Sequence, residues 1–313
     1  MIYGEGKYRY ELVEDWGDIP SGWNVGAIAG VNTDEKDRIY VLTRTVPPVI
    51  VMDAAGKILE SWGGDIFDRP HGVYLDRNGD MYCADDNAHC VYKFDKNHEQ
   101  VFVLGDPGHP SDTGCVDKKW QTILRGAGPF NYPTNVALAK NGDIYVSDGY
   151  GNARVHCFSP DGTLKFSFGE PGNGPGHFNL PHSLRFDADE TLYVCDRQNH
   201  RVQRFDKEGS FIDEWRDLIR PADICFAPDG TAFVAECKRC SDFHYGVSRV
   251  TVMDRGGRVL ARIGGDGYYD ETVEGHHTAH GIAIDSQGCL YIGEVGKHFP
   301  EGYVGLKKLR PVK

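Results

Sequence analysis

The sequence repeats a unit of about 40 residues six times, and this repeat constrains the fold more than any other feature. Each complete unit contains short runs in which apolar and polar residues alternate. Turn pairs separate these runs, among them Asn78-Gly79, Asn141-Gly142 and Asp229-Gly230. Alternation with a period of two predicts β-strands, and such turn pairs predict hairpins between them. We therefore predict four short strands in each unit.

The final strand of the repeat indicates how the ends of the chain meet. This strand ends on a recurrent signature: SWG at Ser61 to Gly63, SFG at Ser167 to Gly169, EW at Glu214-Trp215 and RIG at Arg262 to Gly264. The sixth unit starts at Thr278 and lacks it, whereas the N-terminal segment Tyr8 to Gly17 supplies it. A ring closed by that segment removes the open sheet edges that invite aggregation. We predict an all-β, six-bladed β-propeller that forms one domain over residues 1–313.

Charge and composition exclude several classes of partner. The formal net charge of -12 disfavours binding to the backbone of nucleic acids, which needs a basic surface. No apolar run has the length of a membrane span, and the start, MIYGEGKYRYELVED, lacks the apolar core of a signal peptide. The odd count of nine cysteines fits a reducing compartment. We expect a cytoplasmic protein without nucleic-acid or membrane partners.

Three histidines occupy the same position in alternate repeats. They are His71, His182 and His280, in the contexts RPHGV, LPHSL and TAHGI, and the other repeats carry Ala29, Thr134 and Ala222 there. Alternate blades of a six-bladed ring lie about 120° apart, so we expect the three imidazoles to converge on the central axis. Three neutral nitrogens with one open side are the ligands of a catalytic zinc. We predict zinc, or another divalent transition metal, at this position. A histidine that only caps the central tunnel with a hydrogen bond is the alternative, and it leaves the alternation unexplained.

The loops that follow the second strand of each repeat supply candidates for catalysis. They are Arg44 in blade one, Tyr150 in blade three and Arg197 in blade four. The loop at Tyr150 is one residue longer than its blade-four counterpart, which would extend a side chain over the mouth of the ring. A phenol close to a metal ion and an arginine is a suitable general base. Arg197 has a second interpretation, an ion pair with Asp196 or Asp148 that only joins blades.

An insertion in blade five contains a C-x-x-C pair, Cys237 and Cys240, with His244 nearby. A second metal site and a redox pair are both conceivable functions for these residues. Zinc motifs normally carry four ligands, so we favour free thiols on a structured loop. The sequence does not indicate a role for His276 and His277, which lie beside the third histidine of the repeat pattern.

Four stretches resemble the peptidyl-α-hydroxyglycine α-amidating lyase family, whose members are six-bladed propellers of NHL-type repeats. They are PHG at Pro70 to Gly72, SDGYGNARV at Ser147 to Val155, FSPDGTLKFSFGE at Phe158 to Glu170 and PGHFNLPHSL at Pro175 to Leu184. The resemblance covers essentially the whole chain. Members of that family cleave the N–Cα bond of an α-hydroxyglycine and release an amide and glyoxylate. The resemblance implies zinc on His71, His182 and His280, a catalytic tyrosine at Tyr150 and an active-site arginine at Arg44.

Other features of the family do not carry over to this chain. The family's structural calcium uses two backbone carbonyls, here at Val31 and Val73, and an aspartate whose position is Gly281 here. A family methionine falls on Thr278. The two cystine pairs of secreted members fall on Asn131 with Gly151 and on Tyr193 with Arg204. The chain therefore lacks the aspartate ligand of the family's calcium, so the resemblance does not carry a structural calcium over to it. The joint loss of both partners of each cystine pair fits an intracellular relative.

We predict a metal-dependent lyase that cleaves a C–N bond of a carbinolamide, an α-hydroxyglycine-like small molecule that carries a carboxylate. One alternative is a metal-dependent hydrolase of the lactonase or amidase type that uses the same site. Propeller lactonases usually hold calcium with carboxylate and asparagine ligands, which the repeated histidine position does not offer. The other alternative is a non-catalytic NHL interaction module, which needs no metal ligands and should expose a sizeable apolar patch.

Overall fold

The structure is a computed structural model, and it describes residues 2–14, 16–237, 249–264, 278–296 and 303–312. These residues form 25 β-strands and two short 3-10 helices. The strands are arranged in six sheets, and the predicted all-β, six-bladed β-propeller is confirmed. Among the described residues, no helix is long and apolar enough to cross a membrane. The chain divides into two compact units, Met1–Ile66 with Leu218–Lys313 and Phe67–Asp217.

The first unit begins with two N-terminal strands and blade one. The strands are β1 (Ile2–Glu5), β2 (Tyr8–Leu12), β3 (Ile28–Thr33), β4 (Ile39–Thr43), β5 (Val49–Met52) and β6 (Ile58–Trp62). Strands β3 to β6 form one antiparallel sheet. The residues of β4 and β5 are buried throughout, whereas most of β6 is exposed. The core of the blade therefore lies at its first three strands.

The second unit contains blades two, three and four. Blade two consists of β7 (Pro70–Leu75), β8 (Met81–Asp85), β9 (Cys90–Phe94) and β10 (Gln100–Gly105). Blade three consists of β11 (Pro133–Leu138), β12 (Ile144–Asp148), β13 (Arg154–Phe158) and β14 (Leu164–Phe168), with a 3-10 helix at Trp120–Thr122 before it. Blade four consists of β15 (Pro181–Phe186), β16 (Leu192–Asp196), β17 (Arg201–Phe205) and β18 (Phe211–Trp215), with a 3-10 helix at Arg197–Asn199. All three sheets are antiparallel and follow the four-strand prediction.

The first unit is completed by blades five and six. Blade five consists of β19 (Pro221–Phe226), β20 (Ala232–Glu236), β21 (Arg249–Met253) and β22 (Val259–Gly264). Blade six contains β23 (Thr278–Ile284), β24 (Leu290–Val295) and β25 (Leu306–Pro311). Strand β2 pairs with β25 in antiparallel register, Tyr10 opposite Pro311. The N-terminal strand thus completes the last blade, as the repeat pattern predicts.

The closing blade differs from the prediction in two details. The pairing strand is Tyr8–Leu12 and does not continue to Gly17. A further strand, Ile2–Glu5, lies outside it, so the sheet has five strands in the order β1-β2-β25-β24-β23. The two N-terminal strands are joined by Gly6-Lys7, and Gly6 takes a φ of 56°, a conformation that suits glycine in a tight hairpin. A four-residue strand that contains a glycine gives too weak an alternation to be predicted.

Candidate active site

The strand pairing places the repeated histidine position beside the loop after the second strand. In four blades, the proline that begins the first strand pairs with the acid that ends the second. The pairs are Pro70 with Asp85, Pro133 with Asp148, Pro181 with Asp196 and Pro221 with Glu236. The residue after the proline therefore lies at the same end of the sheet as the loop that follows the acid. This register brings the repeated histidine position and the loop after the second strand to the same end of each of these blades.

Two of the histidines are oriented by a backbone carbonyl of the next blade. His71 is buried, and its Nδ1 lies 2.6 Å from the carbonyl oxygen of Thr134. His280 is also buried, and its Nδ1 lies 2.8 Å from the carbonyl oxygen of Ala29. Thr134 and Ala29 occupy the histidine position in their own blades. Because a carbonyl only accepts hydrogen bonds, each Nδ1 carries a proton, and in a neutral ring Nε2 then carries the lone pair.

The carbonyl that orients each of these two histidines thus comes from a blade without a histidine. Gly72 allows this approach, since a Cβ on it would lie 2.4 Å from the oxygen of Thr134. A backbone carbonyl that accepts from the non-ligating ring nitrogen is the usual support of a metal-binding histidine.

The three histidines of the repeat pattern are all buried. His71 and His182 belong to one unit, and their ring centroids lie 4.8 Å apart. His280 belongs to the other unit. Imidazole nitrogens fit a zinc-like ion better than calcium, which prefers oxygen ligands. This group of histidines could therefore bind a metal.

Tyr150 contacts two members of this group directly. Its hydroxyl oxygen lies 3.0 Å from Nε2 of His71 and 3.0 Å from Nε2 of His182. A phenol has one proton, so it can donate to only one of these nitrogens. If the phenol donates to His71, its contact with His182 requires either a proton on Nε2 of His182 or a cation between the hydroxyl oxygen and the two nitrogens. A metal ion at this place would satisfy all of the lone pairs that converge there.

The local sequence explains how Tyr150 reaches the histidines. The loop of residues 149–153, which we call the Tyr150 loop, follows β12. At its start, a Cβ on Gly149 would lie 2.1 Å from the carbonyl oxygen of Pro181, so only glycine permits this approach to the strand that carries His182. The Tyr150 ring meets the rings of His71 and His182 edge to face, with centroids 5.2 and 5.6 Å apart. The extra residue noted in the sequence therefore belongs to a loop that approaches the next blade.

Arg197 also belongs to this cluster. It begins the 3-10 helix after β16 and is 9% exposed. Its Nη1 lies 3.5 Å from the Tyr150 hydroxyl, and its Cζ lies 5.4 Å from the ring centroid. The interpretation of Arg197 as an ion-pair partner of Asp196 or Asp148 is not supported. Asp196 binds Arg201 instead, at 2.8 Å, and Asp148 contacts His156 at 3.3 Å.

Arg44 lies in the other unit, directly after β4. Its backbone N–H donates to the carbonyl of Ala27 at 2.9 Å, and the residue is half-buried. Its predicted role as an active-site arginine stays a prediction.

Cys237 is the member of the C-x-x-C pair that the structure describes. It is buried, and its thiol lies 3.3 Å from the carbonyl of Ala279.

Four residues that the sequence singled out lie outside the described part of the chain. They are Cys240, His244, His276 and His277. The interpretation of Cys240 and His244 therefore stays a prediction, and no role is assigned to His276 and His277.

A second set of charged residues, which was not predicted from the sequence, lies around Tyr150. Lys118 places its Nζ 5.2 Å from the centroid of the Tyr150 ring. The same ammonium binds Asp86, a fully buried carboxylate that also binds Arg69. Burial works to lower the pKa of Arg69, but the Asp86 carboxylate and Tyr150 outweigh it and raise the pKa. Arg69 stands only two residues before His71 in the sequence. This closeness to a repeated histidine is the signal that could have pointed to Arg69.

Comparisons with known proteins confirm the fold and the family resemblance. A family profile described as a 6-bladed beta-propeller matches residues 128–263. The chain is 27% identical over 326 residues to NHL repeat-containing protein 3 of Homo sapiens, covering 97% of this chain and 87% of that protein. It is 32% identical over 187 residues to a probable peptidyl-alpha-hydroxyglycine alpha-amidating lyase of Caenorhabditis elegans, covering 58% of this chain and 49% of that protein. The match thus spans about half the length of that relative.

Solved structures share the fold at low identity. The virginiamycin B lyase of Staphylococcus aureus superposes with a TM-score of 0.61 at 12% identity, covering 97% of this chain and 100% of that one. A gluconolactonase of Xanthomonas campestris superposes with a TM-score of 0.62 at 16% identity, covering 97% and 90%. The chain is therefore a six-bladed β-propeller that has NHL-repeat and amidating-lyase proteins among its homologues.

Proposed function

We propose that this protein is a metal-dependent lyase that cleaves the C–N bond of a carbinolamide, a small α-hydroxyglycine-like substrate. The observation that carries the proposal is the position of the Tyr150 hydroxyl, 3.0 Å from Nε2 of both His71 and His182. An acid–base group is thereby held against the atoms that would ligate a metal. The similarity to an amidating lyase supports this choice of reaction.

The three histidines would hold the ion through Nε2. In His71 and His280 the other ring nitrogen already binds a backbone carbonyl. When bound there, a zinc-like ion supplies a Lewis acid that lowers the cost of negative charge on a substrate oxygen. Zinc is the ion that we propose, because three imidazoles and one open position are its usual catalytic ligand set.

The chain's own residues account for the movement of the proton. In the proposed reaction, Tyr150 acts as a tyrosinate and takes the proton of the substrate hydroxyl. The C–O bond becomes a carbonyl, the N–Cα bond breaks, and its electron pair passes to the nitrogen. Tyr150 then returns the proton to that nitrogen, so the products are a primary amide and glyoxylate and the tyrosinate is restored. General acid–base catalysis of this kind contributes roughly 10²–10⁴-fold.

Arginines would hold the negative charges of this reaction. The guanidinium of Arg197 lies 3.5 Å from the Tyr150 hydroxyl, so it can donate a hydrogen bond to the tyrosinate oxygen. Arg44 is proposed to hold the substrate carboxylate, as the family resemblance implies. An arginine suits this task because its planar fork matches a carboxylate.

A second candidate is a binding function without catalysis. It is favoured by the similarity to NHL repeat-containing protein 3, which extends over 97% of this chain and whose name records no reaction. The two candidates differ in what they require of the three histidines. A lyase needs the metal for turnover, whereas a binding module does not.

The test is the release of glyoxylate from α-hydroxyhippurate by zinc-loaded protein. Tyr150→Phe should lower kcat by about 10²–10⁴-fold while zinc content and melting temperature stay unchanged. Tyr74→Phe is the matched control, because it removes a phenol hydroxyl from the strand that carries His71. We expect it to retain wild-type kcat. No turnover by zinc-loaded wild-type protein would refute the lyase, and hydrolysis of a lactone by the same sample would then identify the hydrolase alternative.

A further inference from the structure

The connection between blades two and three is long and is attached to the Tyr150 loop. We call residues 106–132 the connecting segment. It is far longer than residues 216–220, which connect blades four and five. Within it, Thr113 donates from Oγ1 to the carbonyl of Gly151 at 2.5 Å. The backbone N–H of Gly151 in turn donates to the carbonyl of Asn131 at 3.0 Å. The residue that follows Tyr150 is thus bonded to the segment at both its N–H and its carbonyl.

The connecting segment also directs one side chain towards the Tyr150 ring. Asp117 and Lys118 have φ values of 53° and 56°, and two successive non-glycine residues in the left-handed region are uncommon. Such strain persists only where surrounding structure enforces it, and it concentrates at functional sites. Here it accompanies a lysine whose Nζ lies 4.4 Å from the centroid of the Tyr132 ring and 5.2 Å from that of Tyr150.

The ammonium of Lys118 is held in place. It donates to Oδ1 of Asp86 at 2.7 Å and to Oδ1 of Asn87 at 2.9 Å. Asp86 is fully buried, and its other oxygen binds Arg69. The position of a cation bonded to a buried carboxylate is defined by the scaffold, so it can fix the position of a ring that contacts it.

We propose that Lys118 is a positioning residue for Tyr150. The Tyr150 ring contacts two cations, the Lys118 ammonium and the Arg197 guanidinium, whose Cζ lies 5.4 Å from the centroid. A cation over an aromatic face is attracted by the ring, and the attraction depends on ring orientation. Lys118 thereby keeps the phenol oxygen at its 3.0 Å contacts with His71 and His182. The inference rests on the proposed function, because that function makes the phenol position matter for catalysis.

The other role that these contacts allow is anchorage of the connecting segment alone. In that case, loss of the ammonium would loosen the segment but leave the phenol at the two imidazoles. The two roles are separated by observing the ring nitrogens of the histidines, because a hydrogen bond from a phenol changes the ¹⁵N chemical shift of the nitrogen that accepts it. This observation needs neither a metal nor turnover.

The experiment compares Lys118→Met, Lys118→Arg and Lys119→Met, with Tyr150→Phe as the reference for a lost phenol. Lys119 is the matched control, because its side chain is 63% exposed and pairs with Asp117. Histidine-ring ¹⁵N spectra are recorded on metal-free full-length protein. On zinc-loaded protein, kcat and KM for α-hydroxyhippurate are measured together with zinc content. Lys118→Gln replaces Lys118→Met if the latter does not fold.

If Lys118 positions Tyr150, the Nε2 resonances of His71 and His182 in Lys118→Met should move towards those of Tyr150→Phe. It also predicts a fall in kcat of about 10- to 100-fold, with KM and zinc content nearly unchanged, since small misplacements of a catalytic group cost this much. Lys118→Arg should recover part of both effects, and Lys119→Met should show neither.

Unchanged ring resonances in Lys118→Met would refute the proposal, whether or not kcat falls. Altered resonances in a protein whose wild-type form releases no glyoxylate would support the positioning role and refute the lyase. The failure of the proposal and the failure of the proposed function therefore give different results.

Discussion

Blades three and four use the same strand position for different purposes. Each ends its second strand with a fully buried aspartate, Asp148 in blade three and Asp196 in blade four. Asp148 contacts the imidazole of His156, which is also buried. Asp196 binds the guanidinium of Arg201, which is 1% exposed and is always charged. In blade three the buried aspartate is thus bound by an imidazole, and in blade four by a permanently charged guanidinium.

The loops that follow these aspartates differ as well. Blade three continues into the Tyr150 loop, which extends to the histidines, whereas blade four continues into the 3-10 helix Arg197–Asn199. Arg197 reaches the Tyr150 hydroxyl from that helix. In both blades the buried acid belongs to the scaffold, and the residues directly after it are the ones to which we assign the proposed chemistry.

The largest expected effect is on the free energy of unfolding, and it distinguishes the partner of Asp196 in blade four from the partner of Asp148 in blade three. Arg201→Met should cost about 3–5 kcal/mol of unfolding free energy near neutral pH, because it leaves the buried Asp196 without its guanidinium. His156→Gln should cost about 1–3 kcal/mol, since it removes hydrogen bonds but need not leave a charge unpaired. Urea unfolding followed by fluorescence measures both. Equal costs for the two variants would show that the blades are held in the same way.

A smaller effect is expected at the residue after the acid of blade four. Arg197→Gln should lower kcat/KM for α-hydroxyhippurate by about 10- to 100-fold, because a hydrogen bond to a charged group is worth about 1.5–3 kcal/mol. The melting temperature should stay close to wild type, unlike that of Arg201→Met. Gln198→Ala, the next position in the same helix, is the control. An Arg197→Gln protein with full activity but lost stability would place Arg197 in the scaffold instead.

The smallest effect concerns the pH dependence of blade four. Burial raises the pKa of Asp196 to about 6 from the usual 3.8, against hydrogen bonds from Asn199 and Arg201 that lower it. A raised pKa in the folded state means that Asp196 stabilises the fold fully below about pH 4, and that this contribution is lost as the pH rises through about 6. Asp196→Asn should abolish this part of the pH dependence. Parallel curves of wild type and Asp196→Asn between pH 4 and 7 would contradict it.

The sequence was most informative where the repeat itself carries the signal. The register of the six units predicted the strands that begin at Pro70, Pro133, Pro181 and Pro221, and the N-terminal closure of the ring. It also singled out His71, His182 and Tyr150, which the structure brings into contact. These positions are set by strand pairing that is local to each unit, so the alternation of residues reports them.

Features outside the repeat could not be predicted in this way. The contact of Lys118 with the Tyr150 ring and the outermost strand Ile2–Glu5 depend on the path of segments that have no counterpart in the other units. Lys118 is 32 residues from its partner Asp86, and nothing in the alternation links them. A single sequence gives no signal for such contacts, because they follow from the packing of the whole blade.

We propose that the three buried histidines hold a metal ion. A titration of zinc into metal-free protein tests this, with His182→Ala as the test variant and His109→Ala, whose side chain is 76% exposed, as the control. We expect wild type and His109→Ala each to bind a single zinc ion per chain, and His182→Ala to bind it at least about tenfold more weakly. Zinc binding that is absent in folded wild-type protein, or unaffected by His182→Ala, would refute the metal site.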